Sequence, residues 1–319
     1  MSFPEQTAML LLLALLLLCN NRVGDVEGST IHENSSMVDL HVLLDFKQGI
    51  ADDPPGALSS WSNSTHFCGW RGVNCTTTRP FCVSRLVLTG LDLAGQITSS
   101  LGNMTFLRSL DLEWNNFVGA IPILGRLQQL HTLYLNNNHL HGIIPDSLTN
   151  CSSLANLDLS VNLLVGQIPP ELYFPSHLSY LNLSGNSIAG PIPPELGFLS
   201  NLTVLDLSEN LLVGQISLKL GLLSNMIFLD LSTNLLVGRI PPSLGFLPNL
   251  AYIHLRSNQL EGSIPDELGQ LQELKELILG RNKLLGEFPK AVLNPSASLQ
   301  ILGLEFNMLG KALPPKIGC

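Results

Sequence analysis

Cysteine residues are the most reactive side chains in this sequence. Cys68 and Cys75 lie close together among turn-forming residues, so we expect them to form a disulfide. A zinc site is the alternative interpretation, but no second closely spaced Cys/His pair completes a set of ligands. Cys151 falls within a repeated segment and is predicted to be a buried free thiol. The sequence assigns no partner to Cys82 or Cys319.

Acidic and histidine residues do not combine into a catalytic pattern. Asp158, Asp206 and Asp230 recur at the interval of a repeat, which does not indicate a paired acid and base. His139 and His141 are predicted to form a solvated pair in a turn beyond a strand, without a metal. The Gly-x-Ser-x-Gly motif of a hydrolase nucleophile does not occur. We therefore expect no enzyme activity, no cofactor and no metal site.

The overall charge argues against nucleic acid as a partner. The formal net charge is −9, and Lys and Arg form no run that could follow a phosphate backbone. Charged residues make up only 13% of the chain, whereas its 27 Gly and 20 Pro recur at fixed intervals. This composition predicts a folded chain with many turns of one kind.

The N-terminus has the properties of a targeting segment. An apolar stretch over residues 8–18 is too short to span a membrane but suits the core of a signal peptide. We assign residues 1–24 to this signal peptide, with cleavage between residues 20 and 28, and predict no later membrane span. The mature chain is expected outside the cell or on the outer face of the plasma membrane. Seven sequons are candidates for N-glycosylation: Asn34, Asn63, Asn74, Asn103, Asn150, Asn182 and Asn201.

A segment of about 24 residues repeats through most of the chain. The pattern Leu-x-Leu-x-x-Asn-x-Leu-x-Gly-x-Ile-Pro recurs in register, which is the period and core pattern of a leucine-rich repeat. The two residues of each Leu-x-Leu point the same way because strand side chains alternate, and only neighbouring coils can cover them. We expect residues 83–319 to form about ten repeats without a C-terminal cap. The predicted fold is a right-handed α/β solenoid with a parallel β-sheet on its concave face. The first core positions are Leu86, Leu110, Leu133, Leu157, Leu181, Leu205, Leu229, Ile253, Leu277 and Leu302.

Asn and Gly occupy fixed positions after each predicted strand. A buried Asn can satisfy backbone N–H and C=O groups of its own and the neighbouring coil, so these residues should form a hydrogen-bonded ladder. The first copy has Leu91 at this position. A Gly follows in nine copies, from Gly95 to Gly286, and is predicted to adopt a positive φ, whereas the tenth copy has Lys311 there. The ladder residues are Asn115, Asn138, Asn162, Asn186, Asn210, Asn234, Asn258, Asn282 and Asn307.

Residues 25–82 are predicted to form an N-terminal cap. Residues 39–50 have the spacing of a short amphipathic helix, which Asp-Pro-Pro-Gly at residues 53–56 would end. The expected disulfide then closes a small loop around Trp70. This side chain is suited to cover the open edge of the first coil.

Segments of this cap carry a family resemblance. Leu-Leu-Asp-Phe-Lys-Gln-Gly-Ile at residues 43–50, Leu-Ser-Ser-Trp at 58–61 and Cys-Gly-Trp-Arg-Gly-Val-Asn-Cys at 68–75 are similar to the N-terminal cap of plant leucine-rich-repeat receptor kinases. The Leu-x-Gly-x-Ile-Pro half of each repeat resembles the plant-specific subtype. The resemblance implies an extracellular receptor region in cell-surface signalling or defence. It also implies a peptide or protein ligand on the inner or lateral face, often with a leucine-rich-repeat co-receptor. Kinase motifs do not occur, so we expect a fragment, a truncated product or a soluble receptor-like protein.

Outward-facing strand positions supply a candidate ligand-binding surface. With Leu-x-Leu directed inward, the flanking side chains of coils 5–8 face outward, and exposed aromatic and Arg side chains are typical anchors of binding energy. His254 and Arg256 could also pair with a peptide carboxylate. The competing interpretation is that these aromatic residues are scattered by chance. The predicted patch consists of Tyr180, Phe228, Tyr252, His254 and Arg256.

A secreted inhibitor of a cell-wall-degrading enzyme is the alternative function. Plant polygalacturonase inhibitors resemble this chain in size, repeat subtype and signal peptide. Inhibitors of that family have a C-terminal cap with paired cysteines, whereas Cys319 has no nearby partner in this sequence. The cap segments are also more similar to those of receptor kinases.

Overall fold

The computed structural model describes residues 35–62, 64–293 and 299–310. The expected signal peptide, Asn34, Asn63, Lys311, Cys319 and the C-terminal end of the repeats lie outside these residues. The described part consists of an N-terminal cap followed by ten stacked coils, numbered here in chain order. None of its helices has the length and apolarity that crossing a bilayer requires.

Each coil contributes one strand to a sheet that lines the concave face. Ten parallel strands follow one another in chain order, and an antiparallel strand, Val73–Cys75, covers the N-terminal edge. The predicted core positions pair directly, from Leu86 opposite Leu110 to Leu277 opposite Leu302, which confirms the predicted solenoid. The ten strands are Val83–Val87, Ser109–Asp111, Thr132–Tyr134, Asn156–Asp158, Tyr180–Asn182, Val204–Asp206, Phe228–Asp230, Tyr252–His254, Glu276–Ile278 and Ile301–Gly303.

A second row of strands runs along one lateral side of the stack, after the Asn position of each coil. Strand Ile50–Asp52 of the cap begins this row by pairing antiparallel to Ala94–Gln96, and the remaining pairs are parallel. The other strands are Asn116–Ala120, His139–Gly142, Leu163–Leu164, Ala189–Pro191, Leu211–Gln215, Leu235–Gly238, Gln259–Gly262, Lys283–Gly286 and Met308–Leu309. His139 and His141 thus lie on a strand, and their predicted placement in a turn was wrong.

Short 3-10 helices carry the chain back along the convex side. They pack so closely that a Cβ on Gly197 would collide with the Lys219 carbonyl of the next coil. Glycine at this position therefore permits the coils to stack at close range. The 3-10 helices are Phe67–Gly69 in the cap, then Ser99–Asn103, Asp146–Asn150, Pro170–Tyr173, Pro194–Phe198, Leu218–Leu222, Pro242–Phe246, Asp266–Gln270 and Lys290–Leu293.

The predicted Asn ladder runs along the turn that follows each concave strand. The side-chain nitrogen of Asn210 donates to the carbonyls of Leu183, one coil earlier, and Leu207, at 2.9 and 3.3 Å. Its side-chain oxygen accepts the N–H of Ile188 at 2.9 Å. The same donor and acceptor pattern recurs from Asn115 to Asn307, so the ladder is confirmed. These contacts satisfy backbone groups that neither sheet pairs.

Left-handed backbone occurs at two positions in each of coils 2–9. The predicted Gly positions from Gly95 to Gly286 all have positive φ, which confirms the prediction. The residue directly before the ladder Asn also has a positive φ, and it is usually not glycine, as at Val161 and Thr233, with φ of 51° and 53°. The sequence gives no signal for this second site, because its residue type varies from coil to coil. Contacts within the stack must hold a conformation that a β-branched residue disfavours.

The cap closes the open end of the first coil with aromatic side chains. The rings of Trp61 and Trp70 stack with centroids 5.4 Å apart, and both side chains are buried. The predicted disulfide between Cys68 and Cys75 is present. The helix covers residues 35–48, so the expected extent of 39–50 was wrong at both ends. Gly49 bonds back to the last turn, and the chain enters strand Ile50–Asp52 directly.

A buried carboxyl group joins the cap helix to the first coil. Asp39 is only 3% exposed and accepts the Val83 N–H at 2.7 Å. Burial raises the pKa of Asp39 to about 6, although the Val83 hydrogen bond opposes part of this change. Burial also raises the pKa of the neighbouring Cys82 thiol to about 11, with a further contribution from the Asp39 charge. Cys82 and Cys151 are both free and buried, as predicted for Cys151.

The Asn ladder generates a stability prediction. Asn210→Ala removes the hydrogen bonds of the Leu183, Leu207 and Ser208 carbonyls and of the Ile188 N–H, so we expect a loss of about 3 kcal/mol and a lower Tm. Gln215→Ala, on an exposed side chain of the same coil, is the control and should change stability by less than about 0.5 kcal/mol. Thermal unfolding followed by circular dichroism measures both variants. Equal Tm values for the two would contradict a structural role for the ladder.

The Asp39 carboxyl generates a pH prediction. Its pKa is higher in the folded chain than the ordinary 3.8, so the folded state binds the proton more tightly. Stability from this group is therefore present at low pH and is lost as pH rises through about 6. We expect Asp39→Asn to gain Tm relative to the unmodified chain between pH 4 and 7, by an amount equivalent to up to about 3 kcal/mol. Asp52→Asn, at an exposed carboxyl, is the control, and parallel Tm curves for all three chains would exclude this role for Asp39.

Candidate functional site

Three of the predicted site residues meet on the concave face of coils 7 and 8. Strand pairing places Phe228 beside Tyr252 and Asp230 beside His254, in register. The Phe228 and Tyr252 ring centroids are 5.8 Å apart, and the His254 ring meets Phe228 edge-on at 5.4 Å. All three side chains are half-buried. We call Phe228, Tyr252 and His254 the coil 7–8 cluster.

His254 bridges two carboxylates from the neighbouring coils. Its Nδ1 lies 3.3 Å from Asp230 Oδ2 on coil 7, and its Nε2 lies 2.9 Å from Glu276 Oε2 on coil 9. The hydrogen bond to Asp230 is the main cause that raises the pKa of His254 above its ordinary value, with Glu276 adding to it against the effect of burial. Asp230 is the less exposed carboxylate, so water screens it less. Both ring nitrogens can donate when the imidazole is protonated.

Arg256 lies at the edge of this cluster and extends away from it. Its Nη1 contacts Glu305 Oε1 of coil 10 at 3.0 Å, and its side chain is 44% exposed. Gly280 of coil 9 leaves room for this pair, because a Cβ there would collide with the Glu305 carboxylate. An ion pair this exposed contributes little to stability, so a ligand carboxylate can replace Glu305 at low cost.

Tyr180 does not contact the cluster. Its hydroxyl lies 3.1 Å from Asp158 Oδ2 on coil 4, and Asn182 donates to the same oxygen at 3.3 Å. Burial is the main cause that raises the pKa of Tyr180 to about 12. Val204 of coil 6 occupies the row between Tyr180 and Phe228. The five predicted residues thus lie along the concave face but divide into a cluster, its edge and a separate polar group.

The repeated Asp residues have a structural role at the ends of the concave strands. Asp230 Oδ1 accepts both the N–H and the hydroxyl of Ser232, and Asp158 does the same with Ser160. Asn182 replaces Asp in coil 5 and accepts from Ser184 in the same way. Within the described residues, no group of His, Cys, Asp and Glu is arranged to hold a metal ion.

Four of the sequence's sequons have exposed Asn side chains, at Asn74, Asn103, Asn150 and Asn201. Asn182 is half-buried on the concave sheet, where its amide nitrogen donates to Asp158 and to the Tyr180 hydroxyl. A glycan on that nitrogen would replace one of its two hydrogens and disturb these contacts. N-glycosylation itself remains a prediction at every site.

Several residues around the cluster were not predicted from the sequence. Glu276 and Glu305 come from coils 9 and 10, and Lys275 places its Nζ 5.8 Å from the centroid of the Tyr252 ring. The strand register could have identified Glu276, because it occupies on coil 9 the position that Phe228 occupies on coil 7 and Tyr252 on coil 8. No sequence signal indicates that Arg256 reaches across coil 9 to Glu305.

Comparison with known proteins identifies the relatives of this chain. The leucine rich repeat N-terminal domain matches residues 38–76, and leucine rich repeats match residues 128–188 and 249–271. These matches lie in the cap and in part of the repeats, and the homologues of the chain are plant leucine-rich-repeat receptor kinases. One of them is the LRR receptor-like serine/threonine-protein kinase EFR of Arabidopsis thaliana, 41% identical over 98 residues. That match covers 30% of this chain and only 9% of the kinase.

Several solved structures similar to this chain are plant receptor ectodomains in complex with their ligands. The GASSHO1/SCHENGEN3 ectodomain of Arabidopsis thaliana, in complex with CASPARIAN STRIP INTEGRITY FACTOR 2, is 36% identical with a TM-score of 0.74. The match covers 86% of this chain and 36% of that ectodomain. The Arabidopsis receptor kinase HAESA, in complex with the peptide hormone IDA and the co-receptor SERK1, is 31% identical with a TM-score of 0.66. This match covers 85% of this chain and 50% of the chain in that structure. The chain therefore spans half or less of these proteins.

The carboxylate bridge around His254 yields a titration prediction. We expect NMR of the His254 ring to give a pKa above its ordinary value, and Asp230→Asn to lower that pKa more than Glu276→Gln. Asn at position 230 should preserve the strand end, because Asn182 already fills the equivalent role in coil 5. Since the folded pKa is raised, the bridge stabilises the fold below the unfolded pKa and is lost as pH rises through the folded pKa. A His254 pKa at or below the ordinary value would rule the bridge out.

Proposed function

We propose that this chain is the extracellular ligand-recognition region of a plant leucine-rich-repeat receptor and binds a peptide or protein on its concave face. The coil 7–8 cluster is the observation that supports this proposal. Phe228, Tyr252 and His254 remain half-exposed on a surface whose other positions are mostly small or polar. Aromatic side chains of this kind anchor binding energy in protein interfaces.

The charge around the cluster favours a ligand with basic residues. The concave strands and the positions just after them present seven carboxylates, and Arg85 and Arg256 are the basic residues in the same rows. Such a surface attracts and orients a positively charged partner. We therefore propose a ligand with an apolar side chain at Phe228 and Tyr252 and a basic segment along coils 4–6. The seven acidic residues are Asp111, Glu113, Asp158, Asp206, Asp230, Glu276 and Glu305.

The cellular setting belongs to the same proposal. The similar receptor kinase HAESA binds a peptide hormone together with a co-receptor, which supports a peptide ligand and a leucine-rich-repeat co-receptor for this chain. We propose that residues 1–24 direct the chain into the secretory pathway, that exposed sequons carry glycans and that the chain acts in cell-surface signalling or defence. The ligand-binding part itself has no catalytic role in this scheme.

Selection of peptides on the purified protein tests the proposed site. A phage-displayed library of random peptides should yield binders with Lys or Arg next to an apolar residue. Tyr252→Ala and Phe228→Ala should each weaken these binders by more than about tenfold, as expected for hot-spot residues, in titration calorimetry. Tyr134→Ala provides the matched control, because Tyr134 is a half-buried tyrosine on the same sheet at coil 3 and should leave binding unchanged.

Other outcomes would reject the proposal. Binders rich in Asp and Glu, or binders that lose affinity with Tyr134→Ala and not with Tyr252→Ala, would exclude the coil 7–8 cluster as the recognition site. Inhibition of a fungal polygalacturonase by the purified protein would instead favour the inhibitor function.

A further inference from the structure

The second row of strands exposes a regular surface that the proposed function does not use. Each strand alternates, so one buried Leu, Ile or Phe lies between two side chains that face the solvent. We call the surface formed by these outward pairs in coils 2–9 the lateral face. Backbone hydrogen bonds continue across it, including Ser187 to Leu164 at 2.9 Å and Ala189 to Gly166 at 2.7 Å between coils 4 and 5. The pairs are Asn116 and Val118, His139 and His141, Leu163 and Val165, Ser187 and Ala189, Leu211 and Val213, Leu235 and Val237, Gln259 and Glu261, and Lys283 and Leu285.

The middle of the lateral face is apolar. Six Leu and Val side chains from coils 4, 6 and 7 are between 39% and 58% exposed, and coil 5 between them contributes only Ser187 and Ala189. Polar residues border this area on both sides, with His139 and His141 at coil 3 and Gln259 and Glu261 at coil 8. A contiguous apolar area with a polar border is the composition of a protein interface.

The described sequons leave the lateral face uncovered. Asn182 lies on a concave strand, Asn103 and Asn150 end 3-10 helices of the convex side, and Asn201 follows another such helix. Asn74 lies in the cap strand Val73–Cys75. Glycans at these positions would shield other surfaces and leave this one accessible to a protein partner.

The sequence of side chains along the face is complementary to its own reverse, except that Ser187 of coil 5 would face Leu211 of coil 6. A two-fold axis parallel to the strands, between coils 5 and 6, would place each coil of one copy opposite its counterpart on the other copy, so that coil 4 faces coil 7 and coil 3 faces coil 8. Val165 then faces Val237, and Leu163 faces Leu235. His141 faces the Glu261 carboxylate, and at the ends Val118 faces Leu285.

From this complementarity we propose that the lateral face binds a second copy of this chain in an antiparallel, two-fold symmetric dimer. An isologous interface requires a surface that matches itself under a two-fold rotation. The charge pattern meets this condition, because the rotation places His141 of each copy opposite Glu261 of the other. A parallel two-fold arrangement, coil on coil, would reverse the strand direction of the second copy, so that Glu261 faces Gln259 and His139 faces His141. This arrangement is disfavoured because protonated His side chains repel each other and Glu261 has no basic side chain opposite it.

The size of the lateral face sets the expected strength of the dimer. Eight coils at about 4.8 Å give a length of about 38 Å, and two rows of side chains make the face about 12 Å wide. Each copy thus contributes roughly 450 Å², less than the roughly 800 Å² per partner of a stable complex. We expect weak association, with a Kd on the order of 100 µM.

Sedimentation equilibrium of the purified secreted chain, up to about 0.5 mM, tests this dimer at its expected Kd. The unmodified chain should dimerise, and Val213→Glu should weaken the dimer by more than about tenfold, because it places a carboxylate in the apolar centre. Leu222→Glu is the matched control: this Leu is 58% exposed on the convex side, and its replacement should have no effect. Both altered side chains are exposed, so neither substitution should change the fold, which circular dichroism checks.

Charge exchange identifies the orientation. His141→Glu alone and Glu261→Arg alone should each weaken the dimer by about fivefold, and the double variant should restore it, because opposite charges again face each other across the two-fold axis. A chain that stays monomeric at the highest concentration would overturn the proposal. So would a dimer that Leu222→Glu breaks and Val213→Glu does not, or a double variant no better than the single variants.

Discussion

Every coil of this protein depends on its neighbours for both its apolar core and its backbone hydrogen bonds. Leu181, Leu205 and Leu229 are buried almost completely, yet each lies on one strand of a coil too small to enclose it. The turn after each strand also has polar backbone groups without partners in the sheets, and each ladder Asn bonds to such groups in its own coil and in the preceding coil. A coil that left the stack would expose leucine and free carbonyls together, so coils of equal shape and register are the stable solution.

This dependence explains why sequence analysis predicted some features and missed others. A residue that contacts the neighbouring coil recurs at the same position in every repeat. The repeat pattern therefore predicted the core leucines, the ladder Asn and the left-handed Gly. The cap disulfide could be predicted because Cys68 and Cys75 are close in the sequence. The left-handed residue before each Asn was not predicted, because backbone contacts in the stack impose its positive φ whatever its side chain, as at Val161. The cap helix ends at residue 48 because its end is set by pairing of Ile50–Asp52 with coil 1, a contact that helical periodicity does not contain.

The candidate site shows the same limit at the level of side chains. The repeat register places Phe228 and Tyr252 next to each other in one outward row and His254 in a second row beside it. It could not reveal that His254 is held between Asp230 and Glu276, or that Arg256 spans coil 9 to reach Glu305 where Gly280 has no side chain. Those contacts depend on the lengths and rotamers of side chains in three different coils. Tyr180 occupies the same row, but the local choice of Asp158 and Asn182 directs its hydroxyl to a separate polar group.

A stack of similar coils also separates its surfaces by chemistry. Within the described residues, the concave face combines carboxylates with one aromatic cluster, the lateral face is apolar at its centre, and three exposed sequons lie on or beside the convex 3-10 helices. Each repeat position lies on the same face in every coil, so a substitution alters one face and leaves the others unchanged. Ligand recognition on the concave face and self-association on the lateral face are therefore compatible in one molecule. Occupying one surface does not cover the other, so a weak dimer could present two concave faces at once.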